Sequence, residues 1–346
     1  MMSILKKFKE TRAFFYILKF IIVPIYNIIW INIINIHGRF LYFEWFKTKR
    51  EFFDLEKNNG VLKIENFDVF KKISKTILAA CDKKIIENAK EKLNEVTFDN
   101  YNQSNNGTNK YFLDIYDELD APVKKKIIDF ASSDFMISTA AKYLGVYPIL
   151  SKIVLIYSIP KNYDEKRGAM MFHKDEFGYK SMDIFMAISD IDNESGPLKA
   201  IISEFDELGP FARILNEDKS MIPGNRGKVE DENILKKKNV KTEMVTIEGI
   251  SGTSILIDSF KCYHAGGHCK SNARIQLRIL YSTIDNTALP LIEKFKDKIL
   301  FNDYLKHKAN NDKFKKFFYE KRSRIFRNLK FGRFLYKYYK ALSFKY

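Results

Sequence analysis

The 346-residue chain is 46% apolar, which is ample for a packed core in one large domain or two small ones. Its formal net charge of +16 lies at the two ends, because residues 1–50 carry +7, residues 291–346 carry +12 and residues 51–290 carry −3. The three cysteines, Cys81, Cys262 and Cys269, exclude a disulfide-rich scaffold and favour a reducing cytosol.

Residues 1–59 are predicted to form a basic and apolar helical segment. Within it, residues 17–36 are long enough to span a membrane, but Lys19, Pro24 and three asparagines interrupt them. No small-residue cleavage site marks a signal peptide. Three interpretations therefore stay open: helices lying on a membrane surface, helices packed on the protein, and a true membrane span.

The central part of the chain predicts helices followed by a series of strands. Helical segments are expected between residues 60 and 145. Apolar runs bounded by turn residues then predict strands at residues 151–160, 183–192, 249–259 and 274–281. The polar segment 206–245 interrupts this series and predicts either a long lid over a substrate or a disordered surface insertion.

His173 and Asp175 are two positions apart, so in an extended strand they project to the same side. His264 follows 89 residues after Asp175, in a position where a distant strand can bring it alongside. Two imidazoles and one carboxylate are the ligand set of non-haem Fe(II) oxygenases. We therefore predict that these three residues form a catalytic metal site.

The order of these motifs resembles the phytanoyl-CoA dioxygenase family of 2-oxoglutarate-dependent oxygenases. The resemblance covers roughly residues 60–285 and rests on a sequential set of motifs: His173-x-Asp175, the turn at 192–197, the strand at 252–258, His264-Ala-Gly-Gly267 and Arg274. It implies a mainly β protein with flanking helices, of the α+β class. Its core over residues 60–290 would be a double-stranded β-helix, that is, a jelly-roll or cupin-like barrel.

The same resemblance implies that the protein uses Fe(II), 2-oxoglutarate and dioxygen. Arg274 would hold the distal carboxylate of 2-oxoglutarate through its planar guanidinium, and Arg278, on the same face of the strand, is the alternative. Lys152 and Tyr157 lie on the strand where the family draws further 2-oxoglutarate contacts. The carboxylate at position 175 favours hydroxylation over halogenation. The family's usual P-G-S-H segment is absent here, where residues 200–204 read Ala-Ile-Ile-Ser-Glu.

An alternative interpretation assigns His264 to a zinc site. Cys262, His264, His268 and Cys269 are four possible zinc ligands within eight residues. Structural zinc sites usually place two to four residues between paired ligands, whereas His268 and Cys269 are adjacent. The iron interpretation is therefore favoured.

The C-terminal residues 291–346 mix aromatic and basic side chains and predict a helical extension. This pattern favours peripheral attachment to the cytoplasmic face of a membrane that contains anionic lipid, while nucleic acid is a less favoured partner. The expected substrate is a small molecule, with a lipid-linked compound or glycan precursor preferred. Three other functions stay open: a sugar isomerase or epimerase on the same fold, an inactive binding module, and a membrane-tethered interaction protein. The sequence does not indicate an oligomeric state.

Overall fold

The computed structural model describes residues 12–94, 112–160, 168–175, 180–203 and 242–283. The predicted C-terminal extension at 291–346 lies outside these ranges.

An N-terminal helical segment precedes the barrel. It contains helices α1 (Arg12–Ile17), α2 (Val23–Ile29) and α3 (Ile36–Trp45), with π-helical turns at Leu18–Ile22 and Trp30–Ile34. The Arg39 guanidinium donates to the carbonyl of Gly145 at 2.8 Å, and the Trp45 indole donates to Ser138 Oγ at 2.9 Å, so α3 is fastened to the rest of the protein. Among the described helices, none has the length and apolar character needed to cross a membrane.

Four more helices pack on one face of the larger sheet. They are α4 (Asp68–Ala80), α5 (Lys83–Asn94), α6 (Ala121–Ala131) and α7 (Asp134–Leu144). In α4 the buried residues Phe70, Ile73, Ser74 and Ile77 follow the i, i+3, i+4, i+7 pattern of one helix face. Helix α7 is capped at its N-terminus by Ser133, whose hydroxyl accepts from the Met136 N–H, and at its C-terminus by Gly145 in the left-handed region.

The nine described strands form two antiparallel sheets. The strands are β1 (Val61–Ile64), β2 (Phe112–Asp114), β3 (Ile149–Ser158), β4 (Met182–Ala187), β5 (Lys199–Ser203), β6 (Thr242–Thr246), β7 (Ser254–Ile257), β8 (Tyr263–Ala265) and β9 (Arg274–Ser282). The larger sheet has the order β1-β7-β4-β9-β3-β2 and the smaller one the order β6-β5-β8. From β4 onward the chain passes back and forth between the sheets, since β4, β7 and β9 belong to the larger sheet and β5, β6 and β8 to the smaller one, as in a jelly roll.

Alternation along the strands gives the larger sheet two different faces. Ile275, Leu277, Ile279 and Tyr281 of β9 point to the helices and belong to the main hydrophobic core. A second cluster, which includes Phe185, Ala187, Ile255 and Ala200, lies between the two sheets. The residues between these positions on β9 face the interior of the barrel, where the candidate site is found.

The structure confirms the predicted α+β class and double-stranded β-helix core. The sequence analysis did not predict β1 and β2, which extend the larger sheet at its edges, or the three strands of the smaller sheet. The prediction of a loop over 206–245 is wrong at its C-terminal end, because residues from Thr242 onward pair with β5 as strand β6. The remainder of that loop lies outside the described residues.

Candidate metal centre

His173 and His264 face each other across a backbone bridge. Each N–H donates to the other residue's carbonyl at 2.9 Å, which is an antiparallel pairing. The two ring centroids are 4.4 Å apart. Because β8 carries His264 and pairs with β5, this bridge adds the His173 backbone to the edge of the smaller sheet. The two imidazoles are therefore placed by sheet pairing and not by a loop.

Asp175 completes the group. Its N–H donates to the carbonyl of Ser259 at 2.8 Å, which fastens it to the segment that precedes β8. Its carboxylate oxygens lie 3.7 Å from His173 Nε2 and 3.8 Å from His264 Nε2. In the part of the chain that the structure describes, this trio is the one group of three possible ligands whose donor atoms all lie within 4.8 Å of one another.

Both imidazoles are held in the tautomer that suits a metal ligand. His173 Nδ1 is 2.9 Å from the carbonyl oxygen of Met171, and His264 Nδ1 is 3.3 Å from that of Cys262. A carbonyl oxygen only accepts, so each Nδ1 carries the proton. Each Nε2 therefore keeps a lone pair, and both point toward Asp175.

The trio fits one divalent transition-metal ion. Nitrogen and carboxylate ligands bind such ions at about 2.0–2.2 Å, so two donors to one ion are at most about 4.4 Å apart. Both distances from the carboxylate to the imidazoles fall within this limit. Two imidazoles with one carboxylate also match the donor set of non-haem Fe(II) sites.

Arg278 lies behind the trio and joins two carboxylates. Its Nη2 donates to Asp175 at 2.5 Å, and its Nε donates to Asp183 at 2.7 Å. The guanidinium also lies over the Phe185 ring, 5.0 Å from the ring centroid. Ser259 donates its hydroxyl to the other oxygen of Asp183. This buried network fixes the orientation of the predicted metal-binding carboxylate.

The network also controls the charge of Asp175. Burial by itself raises the pKa of this carboxyl, but the charge and hydrogen bond of Arg278, with smaller contributions from the imidazoles of His264 and His173, outweigh burial and lower the pKa to about 2. Burial by itself lowers the pKa of Arg278, but the attraction of Asp183 and Asp175 outweighs burial and raises this pKa above its usual value. Asp175 is thus an anion near neutral pH even without a metal.

The sequence analysis missed Asp183 and Ser259. A signal for Asp183 was present, because it is the one charged residue in the buried strand β4, and charged residues are almost never fully buried without a partner. Ser259 gave no such signal, since a serine after an apolar strand is common.

The residues predicted to contact 2-oxoglutarate do not all lie on one face. Arg274 is 4% exposed and shares the barrel-facing side of β9 with Arg278. Lys152 lies on the same face of the neighbouring strand, where burial and then the charge of Arg278 lower its pKa. Tyr157 pairs with Ile275 and belongs to the helix-facing core, so its position does not support the predicted contact with 2-oxoglutarate.

A tight contact between two loops supports the segment that joins His264 to Arg274. Gly196, with φ of +64°, follows a short 3-10 helix whose first turn is capped by Asp192. A Cβ on Gly267 would lie 2.4 Å from the backbone of Gly196, so only glycine fits there. Cys269 donates its thiol to the carbonyl of Ser195 at 3.1 Å, and Asn272 donates to Asp192 at 2.8 Å.

The zinc interpretation is wrong. The structure describes all four of its residues, and they are not among the groups whose donor atoms converge. Cys269 is turned toward Ser195, and the Cys262 thiol lies 3.7 Å from the carbonyl of Asn59. The two cysteines thus support the loops beside the site.

No protein-family model matches the sequence. A comparison with curated proteins likewise gives no match. Membership of the phytanoyl-CoA dioxygenase family therefore stays a prediction.

Solved structures give distant likenesses. The chain is similar to AviO1 from Streptomyces viridochromogenes Tue57, with 12% identity, 66% of this chain and 91% of that chain covered, and a TM-score of 0.36. It is similar to SnoK, a non-haem α-ketoglutarate-dependent carbocyclase from nogalamycin biosynthesis, with 12% identity, coverage of 67% and 83%, and a TM-score of 0.38. EctD from S. alaskensis, solved with 2-oxoglutarate and 5-hydroxyectoine, shares 15% identity, with coverage of 66% and 73% and a TM-score of 0.38. The assignment of the fold rests on the strand order described above.

Proposed function

We propose that this protein is a non-haem Fe(II) oxygenase that consumes 2-oxoglutarate and dioxygen. The observation that carries the proposal is the convergence of His173, Asp175 and His264 between the two sheets of a double-stranded β-helix, with both Nε2 atoms turned toward one carboxylate. The donor set suits Fe(II), and three protein ligands leave positions for a co-substrate.

In this proposal, His173 and His264 hold the metal through Nε2 and Asp175 holds it through its carboxylate. Fe(II) bound there would supply the activation of dioxygen and the oxidation of an unactivated C–H bond. The chain keeps the ligands in place: two backbone carbonyls fix the imidazole tautomers, and Arg278 fixes the carboxylate. Apolar residues between the sheets, such as Phe185 and Ile257, limit the access of water.

Arg274 would bind the distal carboxylate of 2-oxoglutarate. It is buried on the barrel-facing side of β9, and a planar guanidinium pairs with a carboxylate through two parallel hydrogen bonds. Arg278, the alternative, already donates to two carboxylates of the protein itself. Lys152, on the same face of the sheet, would add positive charge that favours a dianionic co-substrate.

The overall reaction would convert 2-oxoglutarate, dioxygen and a C–H group into succinate, carbon dioxide and a hydroxyl group. The substrate would be a small molecule, and the basic ends of the chain favour a lipid-linked compound or a glycan precursor over a water-soluble metabolite.

The proposal is tested by succinate release. Anaerobically purified protein is loaded with Fe(II), mixed with 2-oxoglutarate and exposed to air, and succinate is measured without added substrate. We expect slow succinate formation that His264→Ala abolishes. A sugar isomerase on the same fold would release none, and that outcome would contradict the proposal.

Arg274→Met tests the co-substrate site. We expect it to raise the 2-oxoglutarate concentration needed for half-maximal rate by about tenfold or more, as the loss of a charged hydrogen bond of about 1.5–3 kcal/mol requires. Arg50→Met, which removes an arginine whose ion-pair partner is exposed, is the matched control and should leave this concentration unchanged. An equal effect of the two substitutions would show that Arg274 does not bind 2-oxoglutarate.

A further inference from the structure

The N-terminal helical segment exposes an apolar face of unusual size. Its members are Tyr16, Ile17, Phe20, Ile21, Ile22, Ile25, Ile28 and Ile29, each more than a third exposed. Phe20 and Ile28, the most exposed, are 64% and 62% accessible. Contiguous apolar patches of more than a few hundred Å² are rare on soluble monomers and mark interaction sites. Elsewhere in the described residues, large exposed apolar side chains are scattered.

The opposite side of the same segment is packed on the protein. Leu18, Val23 and Trp30 are buried, and Ile31 packs against the main core beside Gly145. Helix α3 then fastens the segment through Arg39. The apolar face is therefore presented outward by a helix that is held along its other side, which is the arrangement of an interfacial helix.

The charge around this face selects its partner. Residues 11–43 contain no aspartate or glutamate, and residues 1–50 carry a net charge of +7. A second copy of the chain would bring two such basic regions together, which repel each other. Residues 291–346, with a net charge of +12, would also be repelled by this region. Nucleic acid would gain nothing from exposed isoleucines. We propose that the apolar face binds the surface of a membrane that contains anionic lipid, with the basic residues contacting its headgroups.

Vesicle binding tests this proposal and needs neither metal nor co-substrate. The full chain, treated with EDTA, is sedimented with vesicles of equimolar phosphatidylglycerol and phosphatidylcholine, and separately with vesicles of phosphatidylcholine alone. We expect binding to the anionic vesicles that weakens when salt is raised. No binding to either kind of vesicle would overturn the proposal.

A matched pair of substitutions tests whether the apolar face makes the contact. Ile25 and Ile250 are both 54% exposed, but only Ile25 belongs to the face. We expect Ile25→Glu to weaken vesicle binding by about tenfold, because it places a charge in the lipid interface, and Ile250→Glu to leave it unchanged. Circular dichroism of both variants confirms that they are folded.

Two outcomes contradict the proposal. Equal vesicle binding by the two variants would show that charge alone attracts the protein and that the apolar face is not in contact. The second outcome is a wild-type protein that is dimeric and an Ile25→Glu variant that is monomeric, with no vesicle binding by either protein. It would show that a second copy of the chain covers the face.

Discussion

Replacing Arg278 with methionine removes the one cation that joins two buried carboxylates. Methionine is of similar length and keeps most of the packing against Phe185. Asp183 is fully buried and Asp175 is 12% exposed, so water cannot readily take the place of the guanidinium. In the metal-free protein, the substitution leaves two like charges close together without compensation.

The expected loss follows from the burial of these groups. Removing one partner of a buried ion pair costs about 3–5 kcal/mol, because the remaining charge stays desolvated. Arg278 makes two such contacts, at 2.5 and 2.7 Å. Arg50 offers the matched control, since its partner Asp134 is 70% exposed. Arg50→Met should cost less, about 1 kcal/mol, because the Asp134 carboxylate stays in contact with water when the arginine is removed.

Urea unfolding of EDTA-treated protein measures both free energies. We expect Arg278→Met to lower the free energy of unfolding by about 3–5 kcal/mol. Adding Asp183→Asn should restore part of the loss, because it removes one uncompensated charge. If Arg278→Met costs no more than Arg50→Met, the two carboxylates are not anions held by Arg278, and the proposed positioning of Asp175 is refuted.

Three further predictions concern other parts of the structure. Gly267→Ala should reduce the Co(II) affinity measured by calorimetry, because the added Cβ would overlap the Gly196 backbone. Gly266→Ala should not, since its Cβ would lie 3.4 Å from the nearest atom. Equal affinities of the two variants would contradict the described loop contact. Co(II) should raise the melting temperature of the wild type but not of His264→Ala; a shift in both would place the metal elsewhere. Burial, with a smaller contribution from Asp82, raises the pKa of Cys81 to about 11. The rate of Cys81 alkylation by iodoacetamide, followed by mass spectrometry, should therefore increase with pH up to about pH 11. A rate that levels off near pH 9 would show an ordinary thiol.

The sequence predicted four strands of the larger sheet because their patterns are local. The apolar runs that became β3, β4, β7 and β9 have the length and composition of buried strands. The His173-x-Asp175 spacing needed only the two-residue period of a strand. The structure brings the distant His264 to this pair through backbone pairing, as the predicted barrel required.

What the sequence did not predict depends on contacts between distant segments. The partnership of Arg278 with Asp183 and Asp175 joins three separate parts of the chain, and no local pattern specifies it. The short strands β1 and β2 owe their structure to the edges of the sheet that they extend. The position of Tyr157 was predictable, because Lys152 and Tyr157 are an odd number of residues apart and cannot share a face of one regular strand.

The pairing of Ser203 with Thr242 has a practical consequence for protein engineering. Ser203 and Thr242, which flank residues 204–241 in the sequence, are paired neighbours one strand spacing apart in the smaller sheet. A two-residue hairpin turn can bridge the same gap, and longer connections cost little, about 0.6 kcal/mol for each doubling of length. The proposed metal ligands lie on other segments, since β8 carries His264 and pairs with the opposite side of β5. The insertion can thus be trimmed or exchanged as one cassette while His173, Asp175 and His264 stay in register.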